Sequence, residues 1–168
     1  MNRILAIDPT SRGFGFAVLE DRPLRLLDWG VVEHRRNKNI GAPSRLLRLI
    51  REYQPTVIVT EKCRVRHASR CRTTHPFVDL IALLVEEVPI PIVTCSREQV
   101  RRAFSRHGAV TKEEIARVIS EVFPELKPRL PKRREIWQSE DYRISIFDAV
   151  ALGMTFVANE GSLESVGA

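Results

Sequence analysis

Two short apolar runs that each end in an acid constrain this chain most. RILAID covers residues 3–8 and TVIVTE covers 56–61. Each is too short for a helix of its own and rich in aliphatic or β-branched residues, so each predicts a buried strand. If the two strands lie side by side and parallel, Asp8 and Glu61 meet at one edge of the sheet. The carboxyl ends of strands in open α/β sheets are where sites form.

The remaining segments supply the rest of such a sheet. FAVLE (16–20) and RLLDWGVVE (25–33) read as two more strands, joined to the first by short turns, which predicts an antiparallel meander. PTSRGFG reads as a turn holding two glycines. Ser44 can cap a helix over RLLRLIREY, stopped by Pro55. PIPIVTC (89–95) reads as a fifth strand. Between the last two strands, 62–72 carries five basic residues and no acid, and 76–88 reads as a helix that is apolar on most sides. Ser96 with Gln99, and Thr111 with Glu114, have the spacing of capping boxes, predicting helices over 97–106 and from 112. Residues 124–135, with three prolines, read as a loop. A final helix is expected over 139–158. The expectation is one α/β domain over 1–158 with a flexible tail at 159–168, in which a five-stranded mixed sheet, three strands antiparallel and two parallel, is flanked by helices.

A third acid, Asp148, stands in YRISIFDAVALGM, where its helix is otherwise apolar. An acid in such a stretch must be paired, metal-bound or solvated at a cleft. Each acid has a plainer reading: Asp8 before Pro9 can start a turn, and Glu61 can pair with a neighbouring arginine. Clustered carboxylates repel one another, and a divalent cation relieves that repulsion. Hard oxygen ligands suit Mg²⁺ or Mn²⁺, and two such ions about 3.5–4 Å apart can hold a phosphodiester between them. Composition agrees: the 168 residues carry a net charge of +6, and an arginine-rich basic surface suits a polyanionic partner such as nucleic acid. No apolar run approaches the roughly 20 residues of a membrane span. No secretory leader is read in MNRILAIDPT, and three cysteines do not suggest a disulfide framework. A cytoplasmic protein without membrane contact is expected.

The run ILAIDPTSRGFGFAVLE resembles the opening of the RuvC-type Holliday-junction resolvases, which belong to the RNase H-like superfamily. TVIVTEK resembles their second acid-bearing strand. SREQVRRAFSRHGAVTKEEIARVI resembles a segment with two basic positions, onto which Arg101 and Lys112 fall without a gap. FDAVALGMTF resembles their final helix. The resemblance covers nearly the whole chain in the right order. It implies an RNase H-like fold and a divalent-metal-dependent endonuclease acting on structured DNA, most of all four-way junctions. It also implies Asp8, Glu61 and Asp148 as ligands of Mg²⁺ or Mn²⁺, two ions per site, and Lys112 and Arg101 as contacts to the scissile phosphate or its neighbour. Lys62, Arg64, Arg66, Arg70 and Arg72 would extend the DNA path. A homodimer would match the two-fold symmetry of a junction, with 76–88 as candidate interface.

Three departures stand out. The family often has a second acid three residues before the last one, where this chain has Ser145. Asp141, seven residues before Asp148 and so on the same face of a continuous helix, is the favoured replacement, with Glu140 as the alternative. Asp-Pro-Gly becomes Asp8-Pro9-Thr10. Lys62, Cys63 and Arg64 stand where the family carries an aromatic wedge. These departures motivate a second reading, a degenerate RNase H-like domain that binds DNA or a protein without cutting. Cys63, His67, Cys71 and His75 recur every four residues, as zinc ligands can, but on one helix they would span about 18 Å at 1.5 Å per residue. The turn IDPTSRGFGFAV also resembles the first phosphate loop of actin-like ATPases. Without a GxGxxG or P-loop motif, no nucleotide cofactor is expected.

Overall fold

The structure, a computed structural model, describes residues 1–10, 13–33, 41–62, 90–131 and 142–164. Its centre is a five-stranded sheet in the order β3-β2-β1-β4-β5. The strands are β1 (Arg3–Thr10), β2 (Gly13–Asp21), β3 (Leu24–Glu33), β4 (Val57–Glu61) and β5 (Ile92–Cys95). The first three pair antiparallel, while β1 with β4 and β4 with β5 pair parallel, as the sequence predicts.

Alternation along the strands sorts the core into two layers. Leu5, Ile7, Phe16, Val18 and Ile58 face α1 (Gly41–Tyr53), which contributes Leu46, Leu49 and Ile50. Ile4, Ala6, Ala17, Leu19, Val57 and Val59 face the other side. That side is covered by α2 (Arg97–Ser105), α3 (Lys112–Val122) and α4 (Ile144–Glu164). Helix α4 lies across β1 and β2; it is apolar nearly all round over Ile144–Phe156, where most of its residues are buried. By the same alternation Asp8 and Glu61 point to the α4 side.

Several expectations need correction. Gly13 and Gly15 lie in β2 rather than in a turn. Pro9 and Thr10 pair with Phe14 and Gly13, so the hairpin runs on past Asp8. Gly13 has φ +143°, and a Cβ there would stand 1.8 Å from the Val32 carbonyl oxygen; only glycine permits that approach. Helix α1 begins at Gly41, so Ser44 lies inside it; Pro43 is tolerated because the first helical turn has no use for its missing N–H. Strand β5 begins at Ile92, because a proline cannot donate to the ladder, although the Pro91 carbonyl accepts from the Ile58 N–H at 3.0 Å. Within the expected loop, Pro124–Arg129 forms a 3-10 helix held down by the fully buried Leu126. Helix α4 starts at Ile144 rather than 139 and continues through Glu164 into the expected tail. A lone glycine such as Gly161 costs a helix only about 1 kcal/mol and does not end one. The basic segment from Cys63, the expected helix 76–88 and the Cys63/His67/Cys71/His75 pattern lie outside the described residues. Among the described residues, no helix is long and apolar enough to cross a membrane.

Candidate active site

Strand register brings the first two acids together. Ile7 pairs with Thr60 in the parallel β1–β4 ladder, so Asp8 and Glu61 follow side by side at the carboxyl ends of the two strands. Directly across β1 from Asp8 stands Gly15. A Cβ on Gly15 would lie 2.3 Å from the Ser145 carbonyl oxygen, so the bare backbone lets the first turn of α4 press against β2. Asp148 follows Ser145 by three residues and thereby comes over the strand ends. Ser145 itself is buried and donates its hydroxyl to the Tyr142 carbonyl at 2.7 Å.

Two cations enter from helix N-termini. β5 pairs Cys95 with Glu61, Ser96 caps α2 in a complete capping box, and Arg97 is the first residue of that helix. Its Nε donates to Glu61 Oε1 at 2.6 Å. Thr111 caps α3 in the same way. Glu114 accepts from the Val110 and Thr111 backbone N–H groups at 3.0 and 2.9 Å, and these bonds hold its carboxyl below the usual range. Lys112, first in α3, donates its Nζ to Asp148 Oδ2 at 2.7 Å. One cavity of about 320 Å³ has Asp8, Glu61, Asp148, Lys112, Arg97 and Arg101 in its wall. Helix N-termini carry partial positive charge, which adds to a field suited to an anion.

Asp8 is only 7% exposed. Burial pushes its carboxyl well above the usual range, the Asp148 charge pushes the same way, Lys112 opposes, Glu61 adds to the rise and Arg97 opposes. Arg97 loses some of its charge preference to burial, but the hydrogen bond and charge of Glu61, with the charges of Asp148 and Asp8, hold its guanidinium above the ordinary value.

The structure thus gathers Asp8, Glu61, Asp148, Lys112 and Arg101 at one place. Lys62 lies exposed beyond β4 and does not line the cavity. Asp141, Glu140, Arg64, Arg66, Arg70 and Arg72 fall outside the described residues. Because α4 begins at Ile144, the shared helix face invoked for Asp141 does not exist as a continuous helix. Arg97 was missed. Its signal was its place directly after a capped helix start at a strand end, but only the β4–β5 register puts it on Glu61.

Among the described residues, no three acidic, histidine or cysteine side chains stand close enough to hold one metal ion. Glu61 and Asp148 are engaged by Arg97 and Lys112 instead. The donor set nevertheless fits a divalent cation. It offers hard oxygens only, around a buried carboxyl whose charge the two cations do not fully offset.

No protein-family model matches the chain. A crossover junction endodeoxyribonuclease RuvC of Thermomicrobium roseum is 26% identical over 124 residues, which is 70% of this chain and 76% of that protein. One from a Synechococcus species is 27% identical over 135 residues, 76% of this chain and 88% of that protein. Among solved structures, Thermus thermophilus RuvC matches with a TM-score of 0.69 at 20% identity, covering 95% of this chain and 96% of that one. The same protein in complex with a Holliday junction substrate gives 0.67 at 19%, with 96% and 97% covered. The fowlpox virus resolvase with its Holliday junction DNA gives 0.57 at 12%, covering 93% and 99%. Strand order and these likenesses agree: the fold is RNase H-like, and the chain resembles RuvC in sequence over most of its length and in fold.

Proposed function

We propose that the chain is a divalent-metal-dependent endonuclease that cuts branched DNA, four-way junctions before other forms. The observation that carries this reading is the meeting of Asp8, Glu61 and Asp148, from β1, β4 and α4, in one cavity that also holds Lys112, Arg97 and Arg101. Structural hydrogen bonding does not require two strand-end carboxylates and a third from a helix beside two capped helix starts, whereas phosphodiester hydrolysis uses both. The three acids would hold the ions, Mg²⁺ or Mn²⁺, with Asp141 or Glu140 as fourth ligand. Such ions, when bound, supply positive charge against the phosphate and lower the pKa of water.

The chain's own residues do the rest. Asp8, buried and short, sets the inner end of the site. Lys112 and Arg101 hold backbone phosphate, Arg101 by its planar fork. Phosphate contacts position DNA without selecting it, so preference for a junction rests on shape and on two sites acting across a homodimer. Lys62, Arg64, Arg66, Arg70 and Arg72 would extend the phosphate track. The relatives named above are crossover junction endonucleases, and the solved neighbours include junction complexes.

The test compares a mobile four-way junction, a fork and a plain duplex, each with Mg²⁺ or Mn²⁺. The junction is expected to be cut fastest, and Asp8→Asn to abolish cutting while leaving junction binding in chelator intact. Cutting that survives Asp8→Asn removes Asp8 from the metal set. Binding without cutting of any substrate identifies a non-catalytic DNA-binding domain instead.

A further inference from the structure

Arg97 stands at the site without belonging to any basic position that the resemblance to resolvases supplies. Its place follows from local structure: β5 pairs Cys95 with Glu61, Ser96 caps the helix, and Arg97 opens it. One turn on, Arg101 lines the same cavity, as residues four apart on a helix share a face. Helix α2 therefore offers two guanidinium groups to the cavity, and the first is bonded to Glu61 at 2.6 Å. That pair is neither deep nor sealed, since the side chains of Arg97 and Glu61 are 43% and 28% exposed. An ion pair this accessible shifts an equilibrium by no more than about fivefold, so a stronger partner on either side can part it.

We propose that Arg97 is a positioning residue acting through Glu61: it keeps this carboxylate engaged in the ion-free protein, competes for it with a divalent ion, and once released turns to DNA phosphate. The inference rests on Glu61 being a metal ligand. Glu61 Oε1 cannot give the same lone pair to Arg97 and to an ion at full strength. A phosphate at the cavity mouth is a bidentate match for the guanidinium. Anything that draws Arg97 toward phosphate then makes Glu61 more available, and by linkage ion binding makes Arg97 more available to phosphate. Ion uptake and backbone binding would favour each other through this one side chain, and the carboxylate cluster would keep a counter-charge while both are absent.

The test is Mn²⁺ binding by titration calorimetry on the full chain without DNA, with thermal melts to confirm folding. Arg97→Gln is expected to bind Mn²⁺ about fivefold more tightly than the parent. Arg97→Lys, which keeps a charge near Glu61, should stay close to the parent. The gain should vanish when Arg97→Gln is combined with Glu61→Gln. A folded Arg97→Gln protein with equal or weaker Mn²⁺ affinity overturns the proposal. If Glu61→Gln and Asp8→Asn each leave Mn²⁺ binding of the parent unchanged, the ligand assignment itself has failed, and the proposal falls with it. A purely structural role for Arg97 predicts a lowered melting temperature and no gain in ion affinity.

Discussion

Asp8 is a carboxyl that the fold takes out of water on the side that α4 covers. It is held well above its usual range, first by burial and then by the charge of Asp148, with Lys112 and Arg97 pulling the other way. A carboxyl raised in the folded state binds its proton more readily there than in the unfolded chain. Its contribution to stability is therefore complete below the unfolded-chain value, about 3.9, and is lost as pH rises through the folded one. Asp8→Asn cannot ionise, so in chelator at neutral pH it should melt above the parent, and the gap should close near pH 4. For a chain of this size each 1 kcal/mol corresponds to roughly 2–4 °C. Adding Mn²⁺ should reverse the order, because an ion that binds only the folded parent stabilises it. Melts at two pH values with and without Mn²⁺ check this; a variant that melts below the parent at neutral pH in chelator contradicts it. Lys112 has a different prediction. It meets Asp148 at 2.7 Å, and Lys112→Ala should lower single-turnover junction cleavage about a hundredfold, with only a small change in junction binding.

Among the elements, the contact of β2 with α4 decides whether the acids meet. Gly15 lies across from Asp8, and a Cβ there would strike both the carbonyl and the Cβ of Ser145 at under 3 Å. Gly15→Ala should destabilise the fold by about 2 kcal/mol, in the range of overpacked cores, and should lower cleavage further by lifting Asp148 away from Asp8. Urea unfolding together with cleavage separates the two effects, and an Ala variant as stable as the parent would mean α4 is not seated there. What the sequence made legible at this scale was local. The acid-ended runs gave β1 and β4. Both capping boxes, Ser96 with Gln99 and Thr111 with Glu114, are formed as expected, because a cap involves only four consecutive residues. The start of α4 was not legible: docking on Gly15 and the Ser145–Tyr142 hydrogen bond accompany a start at Ile144, and neither is a periodicity. For the same reason the helix-face argument for Asp141 failed, and Arg97 on Glu61 escaped notice, since it depends on the pairing of strands far apart in the chain.

At the scale of the whole molecule, charge and symmetry carry the predictions. With a net charge of +6, junction affinity measured in chelator should fall steeply with salt, by about a thousandfold between 50 and 200 mM if some six phosphates are neutralised. A shallow slope would argue against a backbone track over the basic surface. Light scattering at micromolar concentration should give a dimer, and a monomer would favour a simpler nuclease over a junction-resolving one. The route of the chain through the site has a further consequence. Asp8 is on the first strand, Glu61 on the fourth and Asp148 on α4, the final helix described. A ribosome therefore releases the sheet-forming strands well before the helix that carries the third acid. Until α4 emerges and settles against Gly15, the growing polypeptide lacks both the cover of one sheet face and the third carboxylate. The order of synthesis thus leaves the proposed site incomplete until the last described helix is made.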